Sequence, residues 1–211
     1  MYYATDERDR TKLPHDPFKA IVAPRPIGWI STRALDGRIN LAPYSFFNGF
    51  ASSPPIVGFS SEGWKDSASF ARESGEFVAN LATLDLRQRM NETSAPFARG
   101  DNEFLRAGLT MAKCRLVAAP RVAESPASLE CKVVEVVEIK LLSGAWSGSV
   151  LTLGEVVAFH LDDRLIHDGI FDAAAAQPIA RCGYQDYAVV DRLFTLARPA
   201  GGGDGSLRSA G

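Results

Sequence analysis

Two long runs of β-forming residues in the second half of the chain limit what it can fold into. Residues 129–142 alternate at first, with Leu129, Cys131 and Val133 on one side. They then continue as Val133-Val134-Glu135-Val136-Val137-Glu138-Ile139, a long strand with two glutamates leaning out. Residues 144–148 carry two glycines and turn the chain into residues 150–161, a second long strand. The pair reads as an extended antiparallel hairpin.

The first half repeats that logic on a smaller scale. Residues 27–35 and 39–45 flank Asp36-Gly37, the signature of a tight hairpin. Residues 56–60 form a third strand, because Pro54-Pro55 excludes helix at that point. Residues 66–73 read as a short helix, N-capped by Asp66 and closed by Gly75. Residues 77–81 read as a strand and 84–92 as a second helix, with Leu84, Leu86 and Met90 at helical spacing; residues 93–112 read as irregular, and Leu165 and Ile166 add a short strand. There is no strand-helix-strand rhythm. The predicted class is mainly β with short helices, an antiparallel barrel that is closed or partly closed. Residues 1–17 form an N-terminal arm, 18–198 a single domain, and 199–211, with GGGDG at its centre, a flexible tail.

With 211 residues, 46% of them hydrophobic and 23% charged, the chain can bury a core without metal or disulfide. A formal net charge of -2 provides no field to gather nucleic acid or an anionic membrane. Cys114, Cys131 and Cys182 are odd in number and widely spaced, which suggests neither a disulfide framework nor a zinc site. The charged first residues lack an apolar signal core, and no apolar run is long enough to span a bilayer. These features predict a cytoplasmic protein.

The chemistry concentrates in APRPIGWIST (23–32), NLAPYSFFN (40–48), SSPPIVGFSS (52–61) and Lys65-Asp66-Ser67. Lys65 supplies a cation, Ser60, Ser61 and Ser67 supply hydroxyl donors, and the amides at the helix start near Asp66 point toward an anion. Together they suit a phosphate. The 40–45 strand end, with Asn40, Ala42, Pro43, Tyr44 and Ser45, offers backbone groups left irregular by proline and an aromatic cover for a flat ring. No hydrolytic triad, paired carboxylates, dinucleotide fingerprint or P-loop is visible, so no catalytic acid or nucleophile is assigned.

In this order the segments resemble the flavin reductase-like family, over about residues 18–187. The resemblance implies an antiparallel, Greek-key-like split β-barrel that binds FMN, generally as a homodimer. It places Arg25 beside the flavin and Ser31 and Thr32 at its ribityl or phosphate portion. It implies hydride transfer from NADH or NADPH to flavin, with a monooxygenase as possible partner. A family segment Arg-x-Gly-Gly-x-x-Tyr, near the open face of the flavin, corresponds here to Arg181, Gly183 and Tyr187, with Tyr184 in place of the second glycine. Together with His167, these four are the candidate substrate-binding residues. The change at Tyr184 lends weight to an alternative, an FMN-binding electron carrier reduced by a protein partner.

Overall fold

The computed structural model describes residues 1–98 and 101–197. Seven strands form its main sheet: β1 (Gly28–Arg33), β2 (Ile39–Tyr44), β3 (Phe47–Ser52), β4 (Pro55–Glu62), β5 (Glu76–Leu81), β6 (Ala127–Lys140) and β7 (Trp146–Leu161). Their order is β2-β1-β5-β6-β7-β4-β3, and every pairing is antiparallel.

The two edge strands of this sheet, β2 and β3, are consecutive in the chain, and only Ser45 and Phe46 separate them. Three Cα–Cα steps reach at most about 11 Å. The sheet must therefore curl until its edges meet, making a barrel whose seam carries no ladder. Two contacts fix the corner of this seam. The Ser60 N–H donates to the Phe46 carbonyl at 2.8 Å. The Phe47 ring lies so close to β1 that a Cβ on Gly28 would come within 2.4 Å of it, so only glycine fits there.

Alternation along the strands divides the core in two. Ile30, Phe59, Phe77 and Val156 pack together, and Ala71 of helix α1 (Asp66–Ser74) is laid among them. Trp29 and Leu41 point the other way, toward Leu86, Met90, Phe104 and Val122. Helix α1 ends at Gly75, which is left-handed with φ 74°, as its sequence predicts. Its start differs from expectation. Lys65 is the extended N-cap residue and makes no side-chain cap bond, so Asp66 is the first helical residue, not a cap.

Other elements depart from the sequence reading. β3 was not expected, because its FNGFAS sequence is almost wholly exposed and shows no alternation. The second helix covers only Arg87–Glu92, since the Leu84 N–H is taken by the Gln177 carbonyl at 3.0 Å. Within residues 93–112 lie a helix at Glu103–Arg106 and a two-residue strand at Met111–Ala112. Near the C-terminus, Ile179–Gly183 and Asp186–Val189 join Arg25–Pro26 in a separate three-stranded sheet. Among the described residues no helix is long and apolar enough to cross a membrane. The predicted tail at 199–211 lies outside the described residues.

Buried carboxylates, not strand pairing, hold the 115–118 segment. Glu130 on β6 is fully buried and accepts from the N–H groups of Arg115 (2.8 Å), Leu116 (2.6 Å) and Val117 (3.1 Å), and from His160 Nε2 (2.5 Å). Glu76 accepts from the Ala118 N–H and from Lys132 Nζ. Burial alone would raise the Glu130 pKa, but the Arg115 and Leu116 amides and His160 outweigh it and hold the carboxyl below its ordinary value of 4.5. A depressed carboxyl stabilises the fold above its ordinary pKa and loses that contribution as pH falls through the folded value. Glu130→Gln should therefore cost about 2–3 kcal/mol at neutral pH. Urea titrations should show the gap narrowing below pH 4.5; a gap unchanged with pH would count against an ionised Glu130.

Candidate functional site

Two hollows open along the seam, on either side of the Tyr44-Ser45 bond. The first, of about 550 Å³, follows the free edge of β2 and is lined by Asn40, Ala42, Pro43, Tyr44, Lys65 and Ser67 among others. The Leu41 N–H faces away from β1 and donates to Glu103 Oε2 at 3.0 Å. Pro43, two residues on, has the same outward orientation, so its missing N–H costs no ladder bond. Asn40 Nδ2 donates to Ser67 Oγ at 2.6 Å, which ties the edge strand to the first turn of α1. Lys65 stands exposed at the N-terminus of that helix and makes no ion pair among the described residues. A cation, a positioned hydroxyl and the first-turn amides thus converge, as a phosphate requires.

Residues 93–97 form the far wall of this hollow. The Trp29 Nε1–H donates to Thr93 Oγ1 at 2.9 Å, and that hydroxyl donates to the Met90 carbonyl at 2.7 Å. A core tryptophan therefore sets the wall. Neither this wall nor Glu103 was identified from sequence, since only an Asn102 N-cap precedes the glutamate and nothing local marks it as part of the site. Burial raises the Glu103 pKa above its ordinary value; its own backbone and the Leu41 N–H oppose this, while Asp66 and Asp101 add to it. Asp66 stays with the site, as an acid beside Lys65.

The second hollow, of about 470 Å³, gathers Arg25, Ser45 and Ser60 with Phe46, Phe47 and Asn48. Arg25 donates to the carbonyls of Lys19 and Val22, and its guanidinium lies 5.5 Å from the Phe46 ring centroid. Phe46 in turn stacks on Phe18 at 6.4 Å.

Ser31, Thr32 and Ser61 line neither hollow. All three are fully buried. β1 lies between β2 and β5, covered on both faces, and the Ser31 hydroxyl is spent on the Pro120 carbonyl at 2.5 Å. Ser61 faces the Tyr44 phenol from inside the barrel.

Of the C-terminal candidates, Arg181, Gly183, Tyr184 and Tyr187 lie on one hairpin, where Arg181 pairs with Tyr187 and donates to the Tyr184 carbonyl, and His167 stands apart. Arg181 and Tyr187 line a separate hollow of about 680 Å³ with Arg87, Gln88 and Gln185. Arg181 Nη1 donates to the Tyr187 hydroxyl at 2.6 Å. Gly183 packs against helix Phe18–Ile21, where a Cβ would come 2.7 Å from Ala20 Cα. Tyr184 adopts φ 43°, a left-handed conformation that accounts for the family's glycine at this position, and its ring meets His15 edge-on at 5.8 Å. Tyr184 lines neither seam hollow. His167 is exposed beside the Asp168-Gly169 turn and lines none of these three hollows.

Folding also brings Cys114, Glu130 and His160 within 4.8 Å of one another, a context for His160 that the sequence did not reveal. Tetrahedral zinc ligands at ordinary bond lengths stand about 3.3 Å apart. The 2.5 Å contact between Glu130 and His160 is instead a hydrogen bond. Burial pushes the Cys114 thiol up to about 12 and raises Cys131 as well, so both are poor nucleophiles.

Tyr44 gives the first hollow a readable titration. Burial raises its phenol above the ordinary 10.0, opposed by the Ser67 and Ser61 hydroxyls and reinforced by the charges of Asp66 and Glu103. A phenol with a raised folded pKa stabilises the fold below its ordinary value and loses that contribution as pH rises past it. The urea midpoint of the wild type should fall more steeply above pH 10.0 than that of Tyr44→Phe. Parallel curves would refute a buried, protonated Tyr44.

Residues 22–174 match the model of the flavin reductase like domain. An uncharacterized protein of Halalkalibacterium halodurans is 35% identical over 183 residues, 84% of this chain and 87% of its own. A Bacillus subtilis protein is 31% identical over 206 residues, covering 95% and 100% respectively. Among solved structures, nitrilotriacetate monooxygenase component B from Bacillus cereus superposes with a TM-score of 0.85 at 26% identity, over 93% of this chain and 98% of that one. Flavoredoxin of Desulfovibrio vulgaris shares the fold with a TM-score of 0.75 at 21% identity, over 86% and 94%. By sequence and by the unpaired seam of its barrel, the chain belongs to the flavin reductase-like family of split-barrel proteins.

Proposed function

We propose that this protein binds FMN along the barrel seam and takes hydride from NADH or NADPH, delivering the electrons as reduced flavin to a monooxygenase. The observation that carries the reading is the convergence of Lys65, Ser67 and Asn40 at the start of α1, beside the free edge of β2. When bound, FMN supplies a ring that accepts hydride at N5. Lys65, Ser67 and the first-turn amides hold the phosphate, and Asn40 orients the Ser67 hydroxyl. Glu103, which accepts from the Leu41 N–H, meets sugar hydroxyls from the wall of the first hollow. Ala42, Pro43, Tyr44 and Ser45 carry the chain between the two hollows, and in the second Ser45 and Ser60 reach polar atoms of the ring. There the Arg25 cation would be placed to offset negative charge on a reduced flavin.

Membership of the family and the likeness to a monooxygenase component support this assignment. A homodimer fits it too, since Phe46 and Phe50 are exposed beside the seam. Three unpaired cysteines suit the reducing cytoplasm.

One observation favours a second reading, an FMN-binding electron carrier reduced by a protein partner. The groups expected to receive nicotinamide are already engaged, Arg181 with Tyr187 and Tyr184 with His15. Anaerobic addition of NADH or NADPH to the FMN-loaded protein separates the two. Bleaching of the visible bands is the expected result; flavin that bleaches only with dithionite would leave the carrier reading, and failure to bind FMN at all would overturn both. Substituting Lys65→Ala and Ser67→Ala together should weaken FMN about 10- to 100-fold while changing riboflavin little. Equal losses for the two ligands would move the phosphate elsewhere.

A further inference from the structure

Two more hollows continue from the seam away from the Lys65 cluster. One, of about 410 Å³, is lined mostly by apolar side chains such as Ile27, Leu129 and Phe171. It shares Pro26 and Phe47 with the hollow that holds Arg25. At its other end it shares Phe159 and Leu161 with a hollow of about 600 Å³ lined by charged residues. Both shared residues on β7 are large and apolar, yet Phe159 is 58% exposed and Leu161 45% exposed.

The carboxylates of the charged hollow are already engaged. Of its acids, Asp162 is paired with Arg164 at 2.6 Å, and Glu124 accepts from the Thr110 N–H at 3.0 Å and meets Arg89 at 3.7 Å. Glu130 is enclosed by three backbone N–H groups and His160. Arg115 and Arg121 line the same hollow and form no ion pair among the described residues. The planar fork of an arginine matches a carboxylate.

We infer that the two joined hollows form a binding site for a small amphipathic carboxylate. Its apolar or aromatic body lies over the Phe159 and Leu129 side chains, which are paired across β6 and β7, and its carboxylate is held by Arg115 and Arg121. The apolar part is within the ordinary range for small-molecule sites. The charge complement lies at one end only, so the ligand enters in one orientation, its uncharged end toward Pro26 and Phe47. That this end approaches a flavin rests on the proposed function; the binding itself does not.

Isothermal titration of the full-length protein with 2-naphthoate and with neutral 2-naphthamide tests the site. Naphthoate should bind about tenfold more tightly than the amide. Replacing both arginines, Arg115→Gln with Arg121→Gln, should abolish that preference and leave the amide's affinity unchanged, while Phe159→Ser should weaken both ligands. The inference is overturned if naphthoate does not bind at millimolar concentration, if the preference survives loss of both arginines, or if Phe159→Ser leaves both affinities intact. It is also overturned if Phe159→Ser turns a dimer into monomers and neither form binds naphthoate, which would give this face to a second copy of the chain. Naphthoate binding by protein that takes up no FMN would uphold this site and count against the flavin assignment instead.

Discussion

A two-residue link between strands at opposite edges of one sheet is the constraint on which the rest of the molecule depends. Ser45 and Phe46 cannot span an open seven-stranded sheet, so the sheet closes on itself. The closure has no hydrogen-bond ladder, and the backbone along β2 must find other partners. Glu103 meets one of these groups, and Pro43 removes another. The remainder line a hollow beside a helix N-terminus. The candidate site is thus the place where the barrel fails to close.

Polar groups, more than apolar packing, then set the shape of that opening. Trp29 passes the geometry of the core to residues 93–97 through Thr93, and Asn40 fixes Ser67 against the edge strand. Glu76 and Glu130 clamp the 115–118 segment, which carries Arg115 of the charged hollow and leads to Pro120, the acceptor of the Ser31 hydroxyl. Each of these bonds joins residues distant in sequence, and each is buried or nearly so. In such surroundings an unsatisfied donor is expensive, so the loops are held nearly as firmly as the strands.

Much of the fold was legible in the sequence because its signals are local. The Asp36-Gly37 hairpin, the paired long strands β6 and β7 and the Gly75 stop of α1 each depend on neighbouring residues. β3 was not legible, since FNGFAS has no periodicity and becomes a strand only through its pairing with β4. The C-terminal sheet was missed for a similar reason: its first strand is Arg25–Pro26, from the other end of the chain. The site followed the same division. Lys65, Ser67, Asn40 and residues 42–44, grouped from the sequence, line one hollow, whereas Glu103 and Thr93 join them only through tertiary folding. Nothing in the segments around Ser31, Thr32 and Ser61 shows that the fold leaves all three fully buried.

The exposed edge of β2 has one more consequence. A strand with free amides and carbonyls is a template on which another extended chain can add, and proteins with such edges face a constant hazard of self-association. Here Pro43 interrupts the template, the Glu103 carboxylate occupies an amide of it, and residues 93–97 stand in front of it. The residues proposed to receive a cofactor are therefore also those that blunt this edge, so a substitution there would act on self-association as well as on binding.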